Sequence, residues 1–569
     1  MNMTRHTDIA VIGGVAAGPK TAAVLARRLT DRKITIFQRE KLISYGTCGL
    51  PYFASGDIDS FQELIATSYD TPRDTEFFRC TKGVEVLTET EVTRIDRESR
   101  TLTVNCLADG SRQSYTYETL VLATGATPVP PPFACDTAGN IRSFTRPEDA
   151  ISFRKAAQTG QIGSVIIIGG GFIGCELAEA CAGLWGIETT LVEMQDSLLP
   201  YVLDPEMARL VQNEMERQQV AVRLSSQVEK VSATDDGAIV SLKGGETMTA
   251  DFVFLCLGVR PEVTLAKECG LTLGQTGAIL VDSHLRTSDP HIFAGGDCIE
   301  STNLISGRKM YLPMGSLANR QGRVIAENIA GNDCESPAVT GAFLVKVFER
   351  NVGAVGLSEK LAARDNIPHR AVWGSFPDKP DYYPESKTIA VKLVYNPQSM
   401  QLLGLQAVGE GDVCRRVDVV SALLRQRARV ADLLDFEHGY APPYSEAIDP
   451  LYHLAAMIQA QEQAGLVFAS PQFTTKPDDC FQWLDVREDF ESEAIPIPSI
   501  DAHAVVRIPL NELREQLDRL DPRRPVIIVC QRGPRAYQAA RLLRHNGFDE
   551  VCILGGGAEG ADWPKQTKN

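Results

Sequence analysis

The sequence predicts an α/β protein of several domains. Three observations predict it: a unit running strand, glycine turn, helix, strand occurs twice; a later stretch places strands before a helix; a short α/β unit closes the chain. The length of 569 residues, against roughly 100 to 200 residues per domain, predicts about three to five domains. With 44% hydrophobic and 23% charged residues there is apolar material for several cores, which excludes a disordered or fibrous chain. The 57 Lys and Arg against 73 Asp and Glu leave a net charge of −16. That charge repels nucleic-acid phosphates and anionic lipid, so no nucleic-acid or membrane partner is expected and any bound phosphate must be met by local groups.

The first unit is the apolar run Asp8 to Ile12, the turn Gly13-Gly14-Val15-Ala16-Ala17-Gly18, a helical stretch Lys20 to Leu29, and Ile34 to Phe37. Val15 stands where a middle glycine is usual, and Gln38, followed by Arg39 and Glu40, stands where a ribose-binding carboxylate is usual. The second unit is Ser164 to Ile168, the complete GxGxxG turn Gly169-Gly170-Gly171-Phe172-Ile173-Gly174, a helix through Ala182, and Thr189 to Val192. Backbone N–H groups and the helix dipole at such a turn receive a pyrophosphate. Glu193 ends the next strand, where a carboxylate binds a ribose 2′-hydroxyl and repels a 2′-phosphate, so NADH is expected rather than NADPH. A lone glycine turn is as readily an ordinary tight connection. Two in register, with Ala123-Thr124-Gly125-Ala126 between them and Ala294-Gly295-Gly296-Asp297 after them, leave that reading little room.

From 331 to 455 the texture changes to an α+β module, with strands expected at Ala342 to Phe348, Ile389 to Tyr395 and Leu402 to Val408 and a helix at Arg416 to Arg425. Polar and small residues mark Gln459 to Pro477 as a linker, followed by the α/β unit Phe481 to about Trp563. Of the fourteen cysteines no two stand in a CxxC pattern, which excludes zinc-ribbon and dithiol motifs, and no metal is expected. The start MNMTRHTDIAVIGG lacks a basic region followed by an apolar core. No apolar run approaches the ~18 residues of a membrane span. The expected location is cytoplasmic, with reduced thiols.

The order GGVAAG, ATGA, GGGFIG with Glu193, and HIFAGGD resembles the pyridine nucleotide-disulfide oxidoreductases over residues 8 to about 330. The resemblance implies an FAD-binding domain at 1–115 and 285–330 and an NADH-binding domain at 116–284. It implies FAD contacts from Gly13, Gly14, Ala17, Gly18, Gln38, Arg39, Ala123, Thr124, Gly125 and Gly296, with Asp297 at the flavin ribitol. Ala318, in the block Leu312 to Gly322, falls at the helix start beside the flavin ring. Gly169, Gly171, Ile173, Gly174 and Glu193 are the implied NADH contacts.

Ser44-Tyr45-Gly46-Thr47-Cys48-Gly49-Leu50-Pro51-Tyr52 follows the first unit, and the next cysteine is Cys80, so no local disulfide forms. A lone thiol beside a flavin carries a mixed disulfide, a persulfide or a sulfenic acid. Inert burial is the default for most cysteines, but glycines and a proline make a poor core around Cys48. The motif is similar to the coenzyme A-disulfide reductase branch, whose usual asparagine before the cysteine is here Thr47. That resemblance implies a homodimer through a dimerisation domain at 331–460. It also implies that Tyr382 and Tyr440 reach the active cysteine from the partner subunit as hydroxyl donors to a leaving thiolate, the other reading being half-buried tyrosines in Pro-rich turns. Coenzyme A, as substrate or bound ligand, would meet Lys20, Arg27, Ser44 and Thr47, although for the two cations a solvated helix face is the plainer reading.

Cys530-Gln531-Arg532-Gly533-Pro534-Arg535 links an apolar strand, Val526 to Val529, to the helical run Ala536 to Arg544. A thiol there meets backbone N–H groups at a helix start, which predicts a lowered pKa. With Trp483 to Arg487 before it and Gly555-Gly556-Gly557 after, the segment 475–565 resembles a rhodanese, with Cys530 and Arg535 in its reactive loop and Asp485 and Arg487 structural. The loop is one residue shorter than in related phosphatases, which favours sulfane sulfur over phosphate. The whole reads as an FAD-dependent reductase that uses NADH on coenzyme A persulfide, polysulfide or coenzyme A disulfide through Cys48, with Cys530 carrying sulfane sulfur. The alternative is an NADH peroxidase or oxidase that cycles Cys48 through sulfenic acid.

Overall fold

The run Ile9–Ile12 is buried at every position, as expected of a strand with neighbours on both edges and cover on both faces. In the computed structural model, which describes residues 4–469, 481–497 and 505–560, it is the middle strand of a parallel sheet. The order is Ile292–Ala294, Thr119–Leu122, Ile9–Ile12, Ile34–Phe37, Glu85–Leu87. The helix after it, Ala17–Arg28, buries Gly18, Thr21, Ala22 and Leu25, three to four residues apart along one face or next to each other on it. In the second dinucleotide unit, Ile141–Arg142, Phe252–Leu255, Ser164–Ile168 and Glu188–Val192 run side by side, all parallel. Its helix Phe172–Glu179 continues as a wider turn over Ala180–Leu184.

The chain divides into two compact units, Met1–Met194 with Ser226–Val339, and Gln195–Ser225 with Thr340–Asn569. The first holds the strands of the two dinucleotide sheets named above. In the second, an antiparallel sheet has the order Phe343–Val347, Arg350–Gly356, Leu402–Gly409, Thr388–Tyr395, Arg370–Pro377, and the helix Cys414–Arg425 covers it. Arg350–Gly356 and Arg370–Pro377 were not legible as strands because interior glycines interrupt them. At Gly353 the reason is packing, since a Cβ there would stand 2.7 to 3.0 Å from Leu344, Val417 and Val413.

The helix Pro450–Ala464 runs through Gln459, where a linker is expected from composition. Two of its polar residues are held by the sheet: Tyr395 donates to Glu462 (2.6 Å) and Gln461 donates to the Tyr395 hydroxyl (2.8 Å). The C-terminal sheet, all parallel, has the order Val467–Ala469, Val551–Leu554, Val526–Val529, Gln482–Asp485, Val505–Arg507. It therefore takes a strand from before position 475. The remainder of the expected linker, 470–477, and the ends 475–480 and 561–565 of the expected C-terminal domain, with Cys480 and Trp563, lie outside the described residues. Among the described residues no helix is long and apolar enough to cross a membrane.

Candidate functional site

The two glycine turns are built alike. Gly13 and Gly169 take φ of +110° and +113°, and a Cβ at either would collide with a carbonyl oxygen, of Ala123 and Cys256 respectively. Gly18 and Gly174 let each helix start against the turn, since a Cβ would strike the carbonyl of Gly13 or Gly169. The residue after each second strand then accepts from the turn: Gly14 N–H donates to Gln38 Oε1 at 2.8 Å and Gly170 N–H to Glu193 Oε2 at 2.7 Å. Gln38 is buried and its amide also donates to Glu40 and to the Leu42 carbonyl, so it is engaged in holding the first turn. Arg39 is exposed, with Glu40 and Glu91 at 3.7 and 4.0 Å. Where a Cβ on Gly171 would stand there is open space to 4 Å, a cradle for a phosphate against backbone N–H groups, with Ile173 half-buried beside it.

Gly296 brings three of the expected residues together. A Cβ on it would stand 3.2 Å from Ala17 and 3.6 Å from Ala318, so the Asp297 turn packs between the starts of helices Ala17–Arg28 and Gly315–Ile329. Thr124 caps the neighbouring turn, donating to the Glu262 carbonyl at 2.6 Å, with Gly125 at φ +73°. Burial without a compensating partner pushes the Asp297 carboxyl up to about 6. The nearby Tyr311 hydroxyl is buried with no hydrogen-bond partner. A carboxylate acceptor and a phenol left over side by side suit a ligand chain of hydroxyl groups, as in the ribityl of FAD.

Cys48 lies in the single helical turn Thr47–Gly49, ahead of the helix Leu50–Ser55. Ser44, at φ +50°, docks that segment on the first glycine turn by donating its backbone N–H to the Gly14 carbonyl at 2.7 Å. The Cys48 side chain is exposed, as is that of Thr47. A Cβ on Gly315 would stand 3.9 Å from Cys48 Sγ, which puts the thiol at the start of the fifteen-residue helix Gly315–Ile329, where the dipole favours a thiolate. Working the other way, and prevailing, desolvation by the surrounding protein, then Glu176 and Asp297, hold the thiol above its ordinary value.

Glu176 was not singled out by sequence. It sits two residues past Gly174 on the helix Phe172–Glu179, accepts from the Tyr52 hydroxyl at 3.5 Å, and burial pushes its carboxyl up to about 7. The available signal was its place on the first turns of the helix that the complete glycine motif opens.

Lys20 is half-buried, its stem against Gly322, whereas Arg27 is exposed in the last turn of the same helix. Seven residues separate them, about 10 Å along the axis, and the structure does not bring them together as one anion site. Tyr382 and Tyr440 are brought together: both are exposed, and the hydrogen bond that the Tyr382 hydroxyl donates to Tyr440 raises the Tyr382 phenol above its ordinary value.

In the second unit Cys530 ends the buried strand Val526–Val529, its sulfur accepting from the Gly533 N–H at 3.0 Å. The lowered pKa expected for this thiol is not found. Burial at 1% exposure outweighs the backbone N–H groups of Ala536, Gly533 and Arg532 and the charge of Arg535, and the thiol is raised. Arg535 is held by both carboxylate oxygens of Glu491, at 2.6 and 2.5 Å. Arg532 is shared between Glu559 (3.0 Å) and Asp381 (3.0 Å). Asp485 and Arg487 form a buried pair at 2.8 Å, as a structural role requires.

Comparison with known proteins agrees with this arrangement. Residues 7–319 match the pyridine nucleotide-disulphide oxidoreductase family, 343–452 the dimerisation domain of that family, and 472–561 the rhodanese-like domain. An NAD-dependent persulfide reductase from A. fulgidus has a solved structure that superposes with a TM-score of 0.92 at 36% identity, over 97% of this chain and 99% of that one. An NAD(P)H coenzyme A polysulfide/persulfide reductase of Pyrococcus horikoshii is 30% identical over 459 residues, 81% of this chain and 100% of that protein. A protein named NADH oxidase from Methanocaldococcus jannaschii is 33% identical over 444 residues, 78% of this chain and 96% of that protein. The paired glycine turns and the lone thiol beneath the later helix thus have a common origin: this chain belongs to the pyridine nucleotide-disulphide oxidoreductase family and carries a rhodanese-like domain at its C-terminal end.

Proposed function

We propose that this chain is an FAD-dependent reductase that uses NADH to reduce coenzyme A persulfide, polysulfide or coenzyme A disulfide, with Cys48 as the reacting thiol and Cys530 as a carrier of sulfane sulfur. The observation that carries the reading is the exposed, solitary Cys48 thiol at the start of helix Gly315–Ile329, near Asp297. Asp297, Tyr311 and the turn Gly13 to Gly18 would hold FAD, and the turn Gly169 to Gly174 with Glu193 would hold NADH. When bound, FAD relays the electron pair of NADH to sulfur. The Cys48 thiolate attacks the sulfur–sulfur bond of the substrate, keeps one fragment as a mixed disulfide or persulfide, and releases the other as a thiolate. Tyr382 and Tyr440, from the partner subunit of a homodimer, donate hydroxyl hydrogen bonds to the leaving thiolate. Ser44 and Thr47, beside Cys48, and Lys20 and Arg27, as separate cations rather than one anion site, would meet coenzyme A. Cytoplasmic residence fits thirteen described cysteines that are all free.

The test is NADH oxidation by Cys48→Ser and Cys530→Ser with coenzyme A persulfide and with coenzyme A disulfide. Full turnover by Cys48→Ser would sink the reading. The name of the Methanocaldococcus relative favours one rival, an oxidase or peroxidase that cycles Cys48 through sulfenic acid. NADH consumption by the wild type with oxygen or peroxide alone, matching that with persulfide, would establish the rival instead.

A further inference from the structure

Cys48 stands ahead of a helix of six residues, Leu50–Ser55, and so short a helix leaves most of its carbonyl groups without an intrahelical partner. Phe53 and Ala54, at its carboxyl end, are buried, where a backbone carbonyl needs a partner. Two side chains from distant parts of the chain supply it. The Trp185 indole N–H donates to the Ala54 carbonyl at 2.8 Å. Arg154, on the helix Pro147–Gln158, donates from Nη1 to the carbonyls of Phe53 at 3.0 Å and Ile58 at 2.6 Å, and its guanidinium lies 4.5 Å from the centre of the Phe53 ring. A cation is the favourable charge at the carboxyl end of a helix.

Trp185 follows the wider turn Ala180–Leu184. Such a turn holds one residue more than a regular one, which swings the positions after it by about 100° around the axis. Leu184 there packs on Gly56, where a Cβ would stand 2.5 Å from it, and Trp185 meets Ala54. Nearer the glycine turn, Glu176 accepts from Tyr52. The helix that opens at Gly169 to Gly174 thus meets the Cys48 helix through Glu176, Leu184 and Trp185.

We propose that Trp185 and Arg154 are positioning residues for Cys48: by satisfying the carbonyls at the far end of its helix they keep the turn Thr47–Gly49, and with it the thiol, at the start of helix Gly315–Ile329. The proposal rests on Cys48 being the reacting thiol. Both side chains act through the backbone of Phe53 and Ala54, and fraying there passes on to Cys48 because six residues make only about 1.7 turns. Water then reaches a thiol that desolvation holds above its ordinary value, so it ionises more readily while losing its place for attack on a substrate sulfur.

The test uses the full-length holoprotein with Trp185→Phe, which keeps a ring and drops the N–H, and Arg154→Met, which keeps the stem. Arg142→Met is the control, since Arg142 donates to Ser152, on the helix that carries Arg154, at 3.0 Å. Alkylation of Cys48 by iodoacetamide, read by peptide mass spectrometry, should speed about fivefold at pH 8 in Trp185→Phe and in Arg154→Met, with its midpoint moved to lower pH. With NADH and coenzyme A disulfide, kcat should fall at least about tenfold in both while the KM for NADH is unchanged. Arg154→Lys, whose ammonium still donates, should recover most of the lost kcat. Arg142→Met should lower the melting temperature and leave alkylation and kcat as in the wild type. Wild-type alkylation and kcat in both Trp185→Phe and Arg154→Met, or the same changes in Arg142→Met, overturn the proposal and leave Cys48 as the reacting thiol so long as Cys48→Ser is inactive. Full turnover by Cys48→Ser overturns both.

Discussion

At the scale of single residues, the paired glycines separate two kinds of constraint. Gly174→Ala puts a methyl into the Gly169 carbonyl and is expected to cost about 1–3 kcal/mol, read as a lower melting temperature. Gly171→Ala enters open space, so stability should stay within about 0.5 kcal/mol while the KM for NADH rises, because the methyl would fill the place proposed for the phosphate. Glu176 makes a second prediction. Its carboxyl, raised to about 7, is neutral below that pH and anionic above it, where it opposes ionisation of Cys48. Glu176→Gln should therefore speed alkylation of Cys48 by iodoacetamide at pH 8 and leave the rate at pH 6 unchanged. Asp297 follows a similar logic: a carboxyl raised to about 6 binds a proton more readily folded than unfolded, so it favours the folded state at low pH and opposes it above pH 6. In flavin-free protein, Asp297→Asn should add about 1 kcal/mol of stability at pH 7.5 and nothing at pH 4.

At the scale of elements, Lys392 is the decisive side chain of the second unit. It is wholly buried in the strand Thr388–Tyr395, yet its ammonium meets Asp204 (2.8 Å), Glu206 and Glu359 (2.5 Å). Asp204 and Glu206 begin the helix Pro205–Arg217, and Glu359 begins Glu359–Arg364. One cation thus ties two helix starts to the sheet, and these carboxylates hold the lysine well above its ordinary pKa despite burial. Lys392→Met would leave the carboxylates uncompensated, a loss of about 3–5 kcal/mol, measurable by chemical denaturation. The helix Pro205–Arg217 is held in the second unit through Asp204, Glu206 and Gln406, which donates to Asp204 at 2.7 Å.

At the scale of the whole molecule, the antiparallel sheet and the sulfurtransferase-like fold form part of one unit, and their junction is specific. The Trp373 indole stands 2.5 Å from where a Cβ on Gly555 would be, and Ser375 N–H donates to the Arg532 carbonyl at 3.4 Å. Trp373 in turn lies 5.5 Å from the Lys392 ammonium. Gly555→Val should part the two folds, so that calorimetry of the full chain resolves an early transition for the C-terminal fold where the wild type melts the two together. The exposed Tyr382, Tyr440, Tyr444 and Ile448 are the kind of surface a homodimer covers. Tyr382→Phe should lower kcat for persulfide reduction by roughly tenfold without changing the sedimentation coefficient, as expected for a lost hydrogen bond to a leaving thiolate.

Sequence by itself determined the two dinucleotide turns, the solitary Cys48 and the Cys530 loop, because each depends on local spacing: glycines where a Cβ has no room, a thiol with no neighbour, a strand feeding a helix. It did not determine what balances them. That Gln38 is occupied in holding Gly14, that Glu176 faces Tyr52, that Arg532 and Arg535 are bound by carboxylates 151 and 44 residues away, and that burial overrides backbone N–H groups at Cys530 are long-range facts. They follow from which surfaces pack together, and desolvation and ion pairing, which depend on that packing rather than on spacing along the chain, settle the charge of every reactive group.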